Sequence, residues 1–468
     1  MSNIRNAIID PGIIPVQFLR QSVEDSLYNI HIIQYDWRIK QMSAEWDGIA
    51  KISCHIYSRF KQGEVINHYD QVGAHYNRVY NAVVSDYRTM QISERVKFRV
   101  KPWHNDFNDL ATIDNLVTNY LDWLIELAPA FVFFHSTPHD ITSWVLGKVA
   151  EAMDIPVYLS KTTPLPWKSF LVAGLDEHRP VKIDYQGINN VNEKLVSRYF
   201  QLNSQKYDDA IPSYEKKRLD ARKGHFWSWR KELKEPLRRP HRLVAMFRKH
   251  TLYKHYQDLA TRDITDEDYI IVFLHYQPER TSLPEGLYFV QQLHLVRTLH
   301  LACPHLKIYV KEHPSMFVGH FDIRYRNKAF YNELVQMDNV ELVDIRIDSF
   351  SLLDNALCIA TITGTVGVQA LIRGKAVLCF GTSSYVGFEG CYAIRNCQDV
   401  ENAIVSIQGK KLNERYDLPQ LTHERLNDID KHSSNGVNGA EVEDFYDQIF
   451  RLKADGQVLR TLLGKRII

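Results

Sequence analysis

The chain has 468 residues, 45% of them hydrophobic, with 57 basic against 56 acidic side chains. That length supports roughly two to four folded domains, and the balanced charge excludes a protein that recruits polyanions through bulk charge alone. No run of 18 or more apolar residues occurs, and MSNIRNAIIDPGIIPVQF has no apolar core of signal-peptide length before its second proline, so a cytoplasmic chain is expected. The six cysteines include no CxxC pair, and Cys358 and Cys379 lie in apolar runs, which points to buried thiols in a reducing compartment.

In chain order, NIHIIQYDW and AKISCHIYSRF read as strands, and YDQVGAHYNRVYNAVVSDYRTM has apolar residues at helical spacing. LDWLIELAPAFVFFHSTPHD then runs from a helix into a short apolar strand, Ala130 to Phe134, and on into a polar loop. ITSWVLGKVAEAMDIPVYLS follows as helix, turn and strand, giving a parallel strand-helix-strand unit. Between Lys216 and Lys249 the composition shifts to thirteen Lys/Arg against three Asp/Glu, with Phe226, Trp227 and Trp229 interleaved. This segment is either a solvated helical connector or a surface that rests on anionic lipid headgroups or a charged acceptor. Nucleic acid is the weaker partner, because no nucleic-acid motif accompanies the patch.

From Asp268 onward nine elements alternate: strands at YIIVFLH, LKIYVKE, NVELVD, LCIATIT and KAVLCF, and helices at GLYFVQQLHLVRTLHLA, FYNELVQM, SFSLLDNA and VGVQALIRG. Strict alternation predicts a parallel, doubly wound sheet. The tail from Glu441 to Leu463, with Val442, Phe445, Ile449 and Leu452 at helical spacing, predicts a closing helix.

Ligands of an open parallel sheet bind beyond the carboxyl ends of its strands, which directs attention to four polar loops: HSTPHD, HYQPERT, KEHPS and TITGTVG. In TITGTVG, Gly364 separates Thr363 from Thr365 where a strand turns into a helix. The unbonded N–H groups of that helix and the threonine hydroxyls suit a phosphate, Gly364 allowing positive φ or close approach; the alternative is a plain threonine-capped turn. In KEHP, Pro314 stiffens the turn that carries His313, which can donate to a phosphate or ribose oxygen, and Lys311 can neutralise phosphate charge; the alternative is a structural loop histidine. Strand alternation directs Glu312 away from its neighbours and leaves it without a role. In HSTPHD, His135, His139 and Asp140 follow a strand end. Asp140 or His139 could deprotonate an acceptor hydroxyl, or Asp140 could simply cap the helix starting at Ile141.

The run HYQPERTSLPEGLYFVQQLHLVRTL, then YVKEHP, then TITGTVGVQALIRGKAVLCFG with Tyr385 just after, resembles the C-terminal half of bacterial capsule and surface-polysaccharide biosynthesis proteins. These are GT-B-fold glycosyltransferases that include Kdo and similar nonulosonate transferases, and GT-B sialyltransferases carry a comparable His-Pro motif and Ser/Thr motif. The resemblance implies an α/β, GT-B-like chain of two Rossmann-like doubly wound domains facing a cleft. Its parts would be an acceptor-side domain (1–215), the basic connector (216–265), a nucleotide-sugar-binding domain (266–425), and a linker with the closing helix (426–468).

By the same resemblance, His313 and Pro314 would contact the CMP part of a CMP-sugar donor, and Thr363, Gly364 and Thr365 its phosphate, with Lys311, His275 and Gln277 alongside. Gln369 stands where the family pattern leads one to expect a ribose-binding glutamate. Asp140, His139 or Glu279 would supply the catalytic group, and no cofactor beyond the donor itself is implied. The partners would be a nucleotide-sugar donor and a glycan or lipid-linked acceptor. DxD patterns occur only at Asp266–Asp268 and Asp428–Asp430, in polar segments, so no obligatory metal is expected. Two alternatives stay open: a CDP-glycerol phosphotransferase of teichoic-acid type, and a non-catalytic GT-B scaffold.

Overall fold

The computed structural model describes residues 5–12, 28–35, 52–61, 66–100, 108–165, 168–176, 179–180, 193–204, 240–277, 279–317, 325–411, 417–432, 434–435, 458–459 and 462–463. The chain divides into two compact units, Met1–Val191 with Ile429–Glu441 and Asp447–Ile468, and Asn192–Asp428 with Val442–Tyr446. The division falls between Val191 and Asn192, where composition suggests a break at 215/216; residues 216–239 of the basic segment lie outside the described residues. No helix among the described residues is long and apolar enough to cross a membrane.

Among the described residues, the first unit is built on an eight-stranded sheet. Its strands are β1 (Arg5–Asp10), β2 (Tyr28–Gln34), β3 (Ile52–Ile56), β4 (Val132–Phe134), β5 (Val157–Thr162), β6 (Lys168–Ala173), β7 (Arg179–Pro180) and β14 (Ser434–Asn435). The order is β14-β6-β5-β4-β1-β2-β3, with β7 also paired to β6. The β3-β2-β1-β4-β5 portion is parallel, and β6 turns antiparallel against β5, β7 and β14. The central strand β1 is missing from the sequence reading, which took its residues only as an N-terminal segment. The helical stretch after Tyr69 is two helices, Tyr69–Val84 and Tyr87–Val100. They part at Asp86, whose carboxylate accepts from Arg88 N at 3.0 Å and so caps the second. Of the predicted closing helix, Val442, Phe445, Ile449 and Leu452 lie outside the described residues, whereas Val458, Leu459, Leu462 and Leu463 are buried with Ile30, Ile32, Phe131 and Phe133.

The second unit realises the predicted alternation. Among the described residues its six strands are β8 (Tyr269–Phe273), β9 (Lys307–Lys311), β10 (Val340–Leu342), β11 (Cys358–Thr361), β12 (Ala376–Cys379) and β13 (Cys391–Ala393). All pairings in the order β10-β9-β8-β11-β12-β13 are parallel. Cys358, Ile359 and Ala360 on β11 and Ile270, Ile271 and Val272 on β8 are all fully buried, as strands covered on both faces must be. Each such aliphatic side chain contributes about 1.5–3 kcal/mol of burial. This is why short runs of four or five residues suffice as strands here.

In both sheets the chain winds outward from one strand, then returns to its other side. The reversal lies between β1 and β4 in the first unit and between β8 and β11 in the second. Adjacent strand-end loops diverge at such a point and leave a crevice at the carboxyl edge. HSTPHD follows β4, HYQPERT follows β8 and TITGTVG includes the end of β11, so three of the four polar loops sit at these reversals.

Candidate functional site

In the second unit, the loops after β8, β9 and β11 are tied together by buried polar side chains. His275, directly after β8, accepts at Nε2 from the backbone N–H of Thr363 (3.1 Å) and lies 3.0 Å from Thr361 Oγ1. Burial, reinforced by the neighbouring His313 and Arg326, drives its pKa down to about 3, so it is a neutral acceptor at any physiological pH. Gln292 fixes the backbone of the same residue from both sides, accepting from its N–H at 2.7 Å and donating to its carbonyl at 3.1 Å. His275 is therefore the brace that sets the shape of the threonine loop.

Gln277 is equally committed: its amide donates to Val290 O (2.7 Å) and accepts from Arg326 (2.8 Å). Arg326 also ion-pairs with Glu312 and donates to His275 O, while Tyr331 donates to the same Glu312 oxygen. Glu312, left without a role by strand alternation, is the hub that joins the loops after β8 and β9. Its other oxygen accepts from His313 N at 2.8 Å and so orients the His-Pro turn.

His313 itself is half-buried at the loop surface, its ring 5.8 Å from that of Tyr276. Its Nδ1 accepts from Ser315 N (3.1 Å), which puts the proton of the neutral ring on Nε2. Pro314 opens the short 3-10 turn Pro314–Phe317. Lys311 is placed differently from its expected phosphate role: only 5% exposed, its ammonium donates to Ile347 O and to Ser349 Oγ. Burial lowers its pKa to about 8 despite the nearby Asp348 and Asp344, and its visible work is to tie β9 to the loop after β10.

At the threonine loop, Thr363 Oγ1 donates to Thr281 O (2.8 Å), and Tyr385 donates to Gly364 O (2.7 Å). Gly364 does not have the positive φ that the turn suggested. It is required by space instead, because a Cβ there would lie 2.9 Å from Thr361 Oγ1 and 3.4 Å from His275 Nε2. Thr365 is exposed, makes no side-chain capping bond, and precedes the helix Val366–Ile372. Its hydroxyl is thus the outward-facing group of the motif. Gln369, on that helix, is buried and donates to Asn203 Oδ1 (3.1 Å). Glu279 is exposed, with Thr281 Oγ1 3.3 Å from its Oε2.

In the first unit the β4 loop meets the end of β1. Asp140 realises the capping alternative: it accepts from the backbone N–H of Thr142 (3.1 Å) and Ser143 (3.3 Å), and from both their hydroxyls. Although burial raises its pKa, bonds from Ser143, Thr142 and Tyr35 outweigh this and hold it below the ordinary value. A carboxylate so fully bonded is a weak base, which argues against the acid/base role. His139 is half-buried, with Nδ1 3.1 Å from Thr137 O.

Asp10, absent from the predicted site, ends β1. Its carboxylate accepts from Gly12 N (2.9 Å), Gln34 Nε2 (2.8 Å) and Tyr57 OH (2.5 Å). Burial raises its pKa to about 7 against these bonds, and Asp140 pushes it the same way. The signal available in the sequence was an apolar run ending in acid, proline and glycine, IIDPG. A cavity of about 360 Å³ lined by Arg5, Tyr28, Pro156 and Tyr158 opens at the opposite, amino-terminal edge of this sheet, away from HSTPHD.

Residues 290–400 match the family described as capsule polysaccharide biosynthesis protein. The matched segment holds His313, Pro314 and Thr363–Gln369 within the second unit. Over 85 residues the chain is 32% identical to the capsule polysaccharide modification protein LipA of Neisseria meningitidis serogroup A, covering 18% of this chain and 11% of that protein. The LipA of a serogroup B strain matches over the same length at 31%. The match thus spans about a tenth of the length of these relatives.

Among solved structures, similarity extends to the KpsC β-Kdo 2,7 transferase of Thermosulfurimonas dismutans, 14% identical, covering 78% of this chain and 94% of that one, with a TM-score of 0.30. The UDP-GlcNAc 2-epimerase of Methanocaldococcus jannaschii is 11% identical, covering 91% and 99%, with a TM-score of 0.27.

Proposed function

We propose that this chain is a glycosyltransferase of bacterial surface-polysaccharide assembly, moving an ulosonic acid of the Kdo, pseudaminic or sialic type from a CMP-activated donor to a glycan acceptor. The observation that carries the reading is a coincidence of two kinds of evidence. The capsule-biosynthesis family match covers His313 and Thr363–Thr365; the threonine loop follows β11 at the reversal of the second sheet, and the His313 loop follows β9, which pairs with β8 on the other side. On this reading His313 Nε2 donates to the nucleotide, and the Thr365 hydroxyl with the amides at the start of its helix receives the phosphate. His275, Gln277, Glu312 and Arg326 hold those loops in shape. The first unit takes the acceptor, and transfer needs no divalent cation, so activity is expected to survive a chelator.

Thermal unfolding with CMP, CDP, UDP and GDP tests the reading, since a ligand that binds the native state stabilises it by mass action, by about 2.7 kcal/mol at a hundredfold excess over Kd. CMP should raise Tm selectively, and His313→Ala should lose that rise while unfolding as cooperatively as the parent. Selective stabilisation by UDP or GDP overturns the donor assignment. CMP release from CDP-glycerol in place of a CMP-sugar would instead establish the phosphotransferase alternative.

A further inference from the structure

We propose that His135, with Asp10 behind it, is the proton acceptor of the first unit: the imidazole takes the proton of an attacking sugar hydroxyl, and Asp10 positions the ring and balances its charge. The proposal rests on the glycosyl-transfer reading above.

Asp10 ends β1 and His135 follows β4, the two strands between which the first sheet reverses its winding, and His135 N donates to Asp10 O at 3.0 Å. The two side chains therefore share the crevice where an open α/β sheet takes its ligand.

The His135 ring lies on the α-carbon of Gly12, where a Cβ would fall 2.0 Å from its Cε1 and Nδ1. Gly12 has φ +55°, in the left-handed region, so the turn after β1 both needs a glycine and makes room for this ring. The ring keeps 23% of its side-chain surface exposed, whereas Asp10 keeps 8%, so the histidine is the member that can meet a substrate and Asp10 acts through it.

His135 Nδ1 is 3.9 Å from Asp10 Oδ1, the range of an ion pair rather than a hydrogen bond. Nε2 is 3.2 Å from Ser136 Oγ. Among the described residues, the groups facing Asp10 are Gly12, Tyr57 and Gln34 by hydrogen bond and Asp140 by charge, with Tyr35 and Tyr120 near enough to feel its charge. None of these is a cation, so an imidazolium on His135 would be the counter-charge of ionised Asp10. An imidazole with a carboxylate at ion-pair distance can accept a proton and then release it, as a general base requires.

The hydroxyl proton passes to Nε2, and the oxygen's electron pair forms the bond to the donor's anomeric carbon. The pair of the broken bond between that carbon and the phosphate oxygen leaves with CMP, and the imidazolium returns its proton to water.

The test uses the full chain with CMP-Kdo as donor and water as the hydroxyl. His135→Gln should lower kcat for CMP release by about 10²–10⁴-fold, with KM and stabilisation by CMP unchanged. Asp10→Asn should lower it less and move the pH midpoint of the rate. Parental kcat in His135→Gln overturns the proposal. If the parent itself neither binds CMP nor releases it, the donor reading has failed, and the pair is then judged by NMR titration of the His135 ring. Loss of the carboxylate in Asp10→Asn should lower that midpoint by roughly half a unit or more; a smaller shift overturns the coupling.

Discussion

Arg326 Nε lies 2.6 Å from Glu312 Oε2, and the two side chains are 1% and 0% exposed. Removing one member of a buried pair leaves the other charged group without compensation, at a cost of about 3–5 kcal/mol. Arg326→Met should therefore destabilise the protein by that amount in urea unfolding. It should also release the loops after β8 and β9, because the same guanidinium holds Gln277 and the His275 carbonyl. A loss below about 1 kcal/mol would mean that the pair does not hold these loops.

The second sheet was readable because its strands are short apolar runs punctuated by polar strand-end loops, a pattern that burial on both faces imposes locally. The roles of the site residues were not readable in the same way, since they depend on partners far along the chain. Glu312 becomes a hub only because Arg326 and Tyr331 return to it from beyond the following loop. His275 and Gln277 looked like ligand residues, yet Thr363, Val290 and Arg326 occupy them. Asp10 was the hardest to see: only Ala7, Ile8 and Ile9 precede it as an apolar run, and its environment is assembled from Gln34, Tyr57, His135 and Asp140.

Gln369, in place of an expected glutamate, has a packing reason. Asn203 donates through Nδ2 to Tyr199 O at 2.7 Å, which leaves its Oδ1 to accept from Gln369. Gln369→Glu would set two acceptors against each other in a buried site, costing about 1–3 kcal/mol. The expected result is a lower urea midpoint with the CMP-induced rise in Tm unchanged. A larger CMP-induced rise in the variant would show that the carboxylate reaches the nucleotide after all.

Gly364 tests the threonine loop by space alone. Because its φ is not left-handed, alanine there meets no backbone penalty, only the clash with Thr361 Oγ1 and the approach to His275. Overpacking of this kind typically costs about 1–3 kcal/mol. Gly364→Ala should stay folded but lose most of its stabilisation by CMP, because the loop must move to admit the methyl group. Full retention of the CMP response would place the phosphate elsewhere.

Asp10 and His275 set opposing pH dependences. Asp10 is raised from 3.8 to about 7, so between those values the folded state holds the extra proton. Its contribution is complete below the unfolded value and is lost, at up to about 1.4 kcal/mol per pH unit, as pH rises toward 7. His275 is lowered from 6.5 to about 3, so over that window the unfolded state holds the extra proton. Its contribution is complete above 6.5 and is lost at a similar rate as pH falls toward 3. Between about pH 4 and 6.5 the two slopes offset each other in the parent. Asp10→Asn removes the falling one, so the Tm of the variant should climb from pH 4.5 to 6.5 more steeply than that of the parent. Parallel Tm curves over that range would mean that Asp10 does not titrate there, and its carboxylate would then be ionised throughout.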